Sequence, residues 1–345
     1  MTADERGPDT AFARVATVPQ RMARGWAARQ RVAGGVGAIV IQFIVSGALP
    51  RSPMLRSRCL ANPDRLLEIT RAPDQVSGSG EAKSDPFSLI LHDLRMGGAW
   101  KRTNRGRLRQ TEQMLCGHIA PELRAELTLL DIGASDGITT VEAIRALRRA
   151  FGNQARAILA DRNLWLLRYR RGLVVEYRAV DGEPIMARFG RFGVRLAAQR
   201  RGAELDANPL ARLYLRLGRF RQAMRCDARI SLVHPAARAE PGITVMELDC
   251  LVREECLQDH VAAIRASNVL NLGYFSPPQL RLAVGHLHGY LREGGCLVVS
   301  RNHDQAGSEP ENGSVWLKDG GRFRWVRDFG AGSEIRPVVD DWPFG

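Results

Sequence analysis

At 345 residues, with 45% hydrophobic and 25% charged side chains, the chain has the make-up of a globular protein with one large domain plus extensions, or two small ones. The formal charge is +13, yet only three lysines (Lys83, Lys101, Lys318) contribute to it. Cation supplied almost wholly by arginine, beside abundant Ala and Gly, looks like the codon bias of a GC-rich genome, so basicity alone leaves a nucleic-acid partner open without favouring it. Six cysteines at 59, 116, 226, 250, 256 and 296 form no C-x-x-C pair, which argues against a zinc ribbon or a disulfide scaffold and for reduced thiols. His286 and His288 stand two apart in an expected helix and face different ways, so no metal site is expected.

Residues 1–31 are polar and lack an apolar period, and the spacing predicts little order there. Val32 to Leu49 is eighteen residues without a charge, flanked by Arg29, Arg31 and Arg51. As a helix it would reach roughly 27 Å, just short of a bilayer core, and four glycines and Gln42 weaken it as a span. A membrane anchor, a signal peptide and a poorly packed extension are the three readings of this segment, and Met54 offers an alternative start beyond it. The organisation expected is an N-terminal extension over 1–72, a linker over 73–86 and a catalytic-type domain over 87–345 with an insertion at 164–235.

Lys101, Arg102, Arg105, Arg107 and Arg109 form a basic loop, solvated or in contact with substrate phosphate. Thr111–Leu127 has helical spacing and leads into the stretch LLDIGASDGITTVEAIRALRRAF, residues 129–151. Here an apolar strand is closed by Asp131. A small-residue turn follows from Gly133 to Gly137, and then Ile138, Val141, Ile144, Leu147 and Phe151 mark a helix. Glycines in such a turn let a ligand approach the backbone, at the carboxyl end of a strand where open α/β sheets bind their ligands.

A second strand, Ala155–Ala160, ends in Asp161, 24 residues beyond Gly137, where nucleotide-binding α/β folds place a ribose-hydroxyl acceptor. The alternation then breaks into a meander over Leu164–Leu196, with turns at Gly172 and Asp181-Gly182, and a helix over Asp206–Arg225 rich in arginine. It resumes with strands at Ile243–Leu248, before Asp249, and at Val261–Arg265. A helix starting at Ser276-Pro277-Pro278 ends at Gly294, and Cys296–Ser300 is a strand. A terminal hairpin turns at Lys318–Gly321.

A strand closed by an acid, G-x-x-x-G, a second acid 24 residues on and a final hairpin together resemble class I S-adenosylmethionine-dependent methyltransferases, over roughly residues 108–330. The resemblance implies an α/β fold, a Rossmann-like and mostly parallel sheet with an antiparallel hairpin at its C-terminal end, here carrying a β-rich and helical insertion. It implies S-adenosyl-L-methionine (AdoMet) as cofactor. Asp131 would lie near the methionine ammonium, and Gly133, Ala134, Ser135 and Gly137 would line the turn beside the cofactor. Asp161 would accept from the ribose hydroxyls, Asp249 would approach the adenine amino group with Cys250 alongside, and Asn268 would sit by the sulfonium. Asn271 and Tyr274 are the candidate catalytic residues.

Locally, NVLNLGYFSPPQL followed by LREGG is similar to chemotaxis-type protein-glutamate methyltransferases, with Ser267 in place of that group's arginine. Methyl transfer from a sulfonium needs alignment of donor and acceptor and exclusion of water, and a general base only where the acceptor starts protonated. The acceptor therefore stays unidentified: small molecule, glycan or protein side chain. The alternatives are a non-catalytic module of the same fold that binds AdoMet or a partner, and an RNA methyltransferase. Since AdoMet is a cytosolic metabolite, a cytoplasmic location is expected, membrane-associated if residues 32–49 form an anchor.

Overall fold

The computed structural model describes residues 62–71 and 85–343, apart from positions 93, 97–98, 102, 153, 191, 197–208 and 303–309. The apolar segment 32–49, Met54, Arg102 and nearly all of the 73–86 linker lie outside the described residues. No helix among the described residues is long and apolar enough to cross a membrane.

Two short strands, β1 (Arg95–Met96) and β2 (Ala99–Trp100), pair antiparallel, and the larger sheet is built from β3 (Thr128–Ile132), β4 (Arg156–Asp161), β10 (Ile243–Glu247), β11 (Val261–Ser267), β12 (Leu291–Arg301), β13 (Asn312–Asp319) and β14 (Arg322–Phe329). Its order is β10-β4-β3-β11-β12-β13-β14. The first five strands are parallel, and β13 and β14 add an antiparallel hairpin at the edge. This is the Rossmann-like α/β sheet that the sequence predicted.

The period-two alternation of a strand explains its two covered faces. On β3, Leu129 points into a core shared with α3 (Arg109–His118) and α4 (Ile138–Phe151), where Leu115, Ile144 and Leu147 are buried. Leu130 and Ile132 point the other way, into a core closed by α8 (Pro277–Tyr290) through Leu280, Val284 and Leu287. Helix α8 starts with the expected chemistry, Ser276 and Gln279 forming a capping box with prolines in the first turn.

The insertion is a separate antiparallel sheet, ordered β8-β7-β6-β5-β9. Its strands are β5 (Trp165–Arg171), β6 (Val174–Arg178), β7 (Pro184–Phe189), β8 (Phe192–Arg195) and β9 (Arg225–Ser231). Two N-terminal helices, α1 (Asp64–Arg71) and α2 (Pro86–His92), pack Leu66, Phe87, Ile90 and Leu91 against Leu166, Val175, Tyr177 and Ile230 on one face. Residues 64–71, expected within a poorly ordered extension, are thus a helix with Leu66 buried. The reason is that the inserted sheet supplies an apolar face that no local pattern announces.

The other face carries α5 (Pro209–Arg216) and α6 (Gly218–Gln222), and after β9 a short α7 (Pro235–Ala239) precedes β10. The sequence predicted one helix over 206–225. The structure breaks it at Leu217-Gly218, where glycine weakens the helix, and turns Arg221 back toward the sheet. There Glu176, fully buried, accepts from Tyr214 at 2.6 Å and Arg221 at 2.7 and 2.8 Å and pairs with Arg178. Burial works to raise the carboxyl's pKa, but Arg221, Tyr214 and Arg178 together hold it below the usual range.

Candidate active site

The turn after β3 lies at the carboxyl edge of the parallel sheet, with three of its residues in the left-handed region: Gly133 (φ 70°), Ser135 (φ 60°) and Gly137 (φ 83°). A Cβ at Gly133 would sit 2.7 Å from Cβ of Val269, and one at Gly137 would run into Leu159, so both positions exclude larger side chains on packing as well as conformation. Ala134 is buried and its N–H bonds the carbonyl of Ala160, tying the turn to the end of β4. The Ser135 N–H donates to Asp161 at 2.9 Å, while the Ser135 hydroxyl is buried with no hydrogen-bond partner. Thr103 Oγ1 is likewise buried and unpartnered.

Asp161, expected at the end of the second strand, stands there, and it is already engaged. Lys101 reaches it at 2.6 Å, both side chains almost wholly out of water, and the Asn163 N–H donates to the same oxygen at 2.8 Å. Lys101 belongs to the basic loop, so one member of that loop is buried against an acid rather than solvated. The segment that carries it is pinned along the same edge. Ser88 donates to Asp136 at 3.1 Å, Asp85 pairs with His234 at 2.7 Å, and the Gly106 N–H donates to Glu142 at 3.0 Å.

Asp131 does not reach this edge. It points under α4, where Arg265 holds it through Nε (2.8 Å) and Nη2 (2.6 Å), and Thr140 donates to it as well. Arg265 is completely buried and faces Asp131 directly across neighbouring parallel strands. Both oxygens that were to receive a methionine ammonium are therefore taken. The physical reason is register: an arginine inside the otherwise apolar run VAAIRAS has to find an anion, and Asp131 is the facing residue. That interior arginine was the signal in the sequence for this pair.

Asp249 lies two residues past the end of β10, beside Asp161's edge. It accepts from the Leu251 N–H at 3.0 Å and lies 3.4 Å from Arg162, with its side chain partly open to solvent. Cys250 is buried, its thiol pushed up to about 12 by burial and by Asp249, so it stays an uncharged packing group.

Past β11, Asn268 adopts φ 61°, and its side-chain amide donates to Asn302 Oδ1 and accepts from the Asn302 backbone N–H, clamping together the loops after β11 and β12. Asn271 is buried and turned back on its own loop, toward the carbonyls of Asn268 and Val269. Tyr274 is exposed. The observed partners of Asn271 do not aim it at the turn. Ser267, in the place of the chemotaxis-type arginine, is buried and bonds Ser300 at 2.7 Å. From Ser300 the contacts run to Thr111 (2.9 Å) and on to Glu311 (2.6 Å), which also accepts from the Gln110 and Thr111 N–H groups. Lys101 was singled out within its basic loop but its pairing with Asp161 was not, while Thr111 and Glu311 carry no local motif and were not legible in the sequence.

One half-buried acid near Arg265 is perturbed. Burial raises Glu112 to about 7, with Glu142 and Glu311 adding and Arg265 opposing. Among the described residues no cluster of His, Cys, Asp and Glu is arranged to hold a metal ion. His286 bonds the Cys250 carbonyl, and His288 packs edge-on to Phe323.

No family model matches the sequence, and no curated protein is similar to it. Among solved structures it is similar to a 1,6-didemethyltoxoflavin-N1-methyltransferase from Burkholderia thailandensis, at 11% identity over 68% of each chain and a TM-score of 0.30. It is also similar to the N-methyltransferase NodS from Bradyrhizobium japonicum WM9, at 14% identity over 57% of this chain and 63% of that one, TM-score 0.26. A third is the cyclase SpnF, at 13% identity over 68% of this chain and 56% of that one, TM-score 0.28. The first two were crystallised with S-adenosylhomocysteine. At such distance the strand order and the site's own geometry carry the reading.

Proposed function

We propose that the carboxyl edge of the parallel sheet binds AdoMet and that the protein transfers its methyl group to an acceptor. The observation that carries this reading is the Gly133–Gly137 turn, held left-handed at three positions and presenting a buried, unpartnered Ser135 hydroxyl beside Asp161. A buried donor without a partner is costly, and a ligand oxygen or nitrogen at the turn would relieve it. Gly133, Ala134, Ser135 and Gly137 would line the cofactor, Asp161 would take the ribose and Asp249 the adenine, with Cys250 packing alongside and Asn268 bordering the methyl. The partly open carboxylate of Asp249 fits this arrangement. Asp131 does not fit the ammonium, and its role becomes that of holding β3 to β11 through Arg265.

Bound there, AdoMet supplies a methyl group activated by a sulfonium. The chain's part is to orient it, shield it and hold the loops after β11 and β12 together through Asn268 and Asn302. Asp161 exchanges its Lys101 contact for the ribose diol in this reading. AdoMet chemistry also supports a cytoplasmic setting. The acceptor class stays open among small molecule, glycan and protein groups, and the likeness to chemotaxis-type enzymes supports a protein carboxylate only weakly, given the buried Ser267.

One observation favours a second reading, a non-catalytic module of this fold. Asp131 and Asp161 are both neutralised by the chain's own cations. Calorimetry separates the readings. Saturable AdoMet binding that weakens by about tenfold in a folded Asp161→Ala variant supports the proposal. No heat with the intact chain overturns it. Binding without conversion to S-adenosylhomocysteine in protein, RNA and metabolite extracts supports the module.

A further inference from the structure

The net charge is concentrated in the insertion. Residues 164–235 hold fifteen arginines, no lysine and six acids, a balance of +9 within a chain of +13. Within its sheet the excess has a definite place. Arg170 on β5 faces Arg225 on β9 in register; on its other side it faces Val175 on β6, which faces Arg188 on β7. Cross-strand partners share a face, so three arginines stand in one row across four strands. Neighbouring strands are about 4.8 Å apart, which puts Arg225 and Arg170 one step apart and Arg188 two steps beyond Arg170.

Like charges directly opposite one another in a sheet are destabilising. The nearby carboxylates are few and mostly committed. Arg168 holds Asp227 at 2.8 and 3.2 Å and Asp64 at 3.0 Å, while Arg170 lies 3.6 Å from Asp227. Asp64 is thus held by Arg168, and Asp227 is shared between Arg168 and Arg170. Among the described residues, Arg188 Nη2 makes a long contact of 3.4 Å to the Gly190 carbonyl, and its Nη1 is buried without a hydrogen-bond partner. Between Arg170 and Arg188, above Val175, the sheet opens a cavity of about 270 Å³ whose wall also includes Asp64 and the turn residues Gly172 and Gly190.

We propose that this row is a binding site for phosphate groups, at least two to a ligand, with Arg170 and Arg188 as the principal donors and Arg225 extending the row. Guanidinium groups match phosphate oxygens in pairs, and a ligand with two or more phosphates answers both the cross-strand repulsion and the orphaned Arg188 nitrogen. The site is independent of the AdoMet reading, since it lies on the inserted sheet and uses none of the turn residues. The phosphates have two sources: a small phosphorylated molecule, or the backbone of a nucleic acid.

The test titrates the full chain with pyrophosphate and with a single-stranded oligoribonucleotide at fixed ionic strength. Pyrophosphate is expected to bind saturably, and Arg170→Gln and Arg188→Gln each to weaken binding by about tenfold. Arg188→Lys, which keeps the charge and loses the fork, should fall between. Arg324→Gln, on the far hairpin, should change nothing. RNA binding tighter than pyrophosphate, lost in the same variants and falling steeply with salt, assigns the phosphates to a nucleic acid. Pyrophosphate binding without RNA binding assigns them to a small ligand. The proposal is overturned if neither probe binds saturably, or if binding survives both glutamine substitutions unchanged.

Discussion

The two sheets treat charge in opposite ways. In the parallel sheet the named acids each have a cation: Arg265 holds Asp131 in the interior, and at the carboxyl edge Lys101 meets Asp161 and Arg162 meets Asp249. On the antiparallel sheet arginines outnumber acids, and Glu176 alone serves two of them. Parallel strands covered on both faces admit a charge only with its partner, because an unpaired buried ion is far too costly. The inserted sheet keeps one end open to solvent, where excess cation is tolerated and available to an anion. Under the two proposals, a ligand would enter the first region by exchanging existing contacts and would complete the second.

The largest expected effect tests the matched sheet. Arg265→Met leaves Asp131 buried and unpaired and should cost about 3–5 kcal/mol in chemical denaturation. Adding Asp131→Leu should recover most of the loss. A single variant as stable as the parent would show that the pair does not organise the β3–β11 contact. Next comes the inserted sheet's own buried acid. Glu176→Gln should destabilise by about 1–3 kcal/mol at neutral pH, since Arg221 loses its charged partner but keeps some access to water.

The pH dependence has a definite sign. Glu176 is held below its unfolded pKa, so its stabilisation is present above the ordinary carboxyl range and is lost as pH falls through the depressed folded value. The difference between parent and Glu176→Gln should therefore shrink in acid. Glu112 behaves in reverse. Its folded pKa is raised from 4.5 to about 7, so the folded form favours the proton and stability falls as pH rises through that window. Glu112→Gln should then stabilise the protein above pH 7 by about 1 kcal/mol, discounted for partial exposure, and do little near pH 4. Equal effects at both pH values would contradict this. The smallest effect belongs to the exposed Arg324–Asp319 pair, whose removal should cost less than about 1 kcal/mol.

Much of the parallel sheet was legible in the chain. Period-two and helical spacing located β3, α4, β4 and the start of α8 close to their observed bounds, because each buries a regular apolar face; α8 ends at Tyr290 rather than at Gly294, and β12 begins at Leu291. The edge positions of Ser135, Asp161 and Asn268 were legible for the same reason, since they follow strand ends. What escaped were contacts fixed by tertiary structure. Lys101 meets an acid sixty positions away, and Arg265 meets one 134 positions away. Leu66 finds its core only because the inserted sheet exists. The row Arg225–Arg170–Arg188 depends on register across three ladders, including one irregularity after Arg168, and no local pattern specifies it.

Photocrosslinking with methyl-labelled AdoMet, followed by peptide mapping, tests the central claim most directly. Label on peptides spanning 129–145, 156–164 or 247–253, competed by S-adenosylhomocysteine and reduced in Asp161→Ala, is the result expected. An unlabelled protein, or label confined to the inserted sheet, would contradict a cofactor site at the Gly133–Gly137 turn.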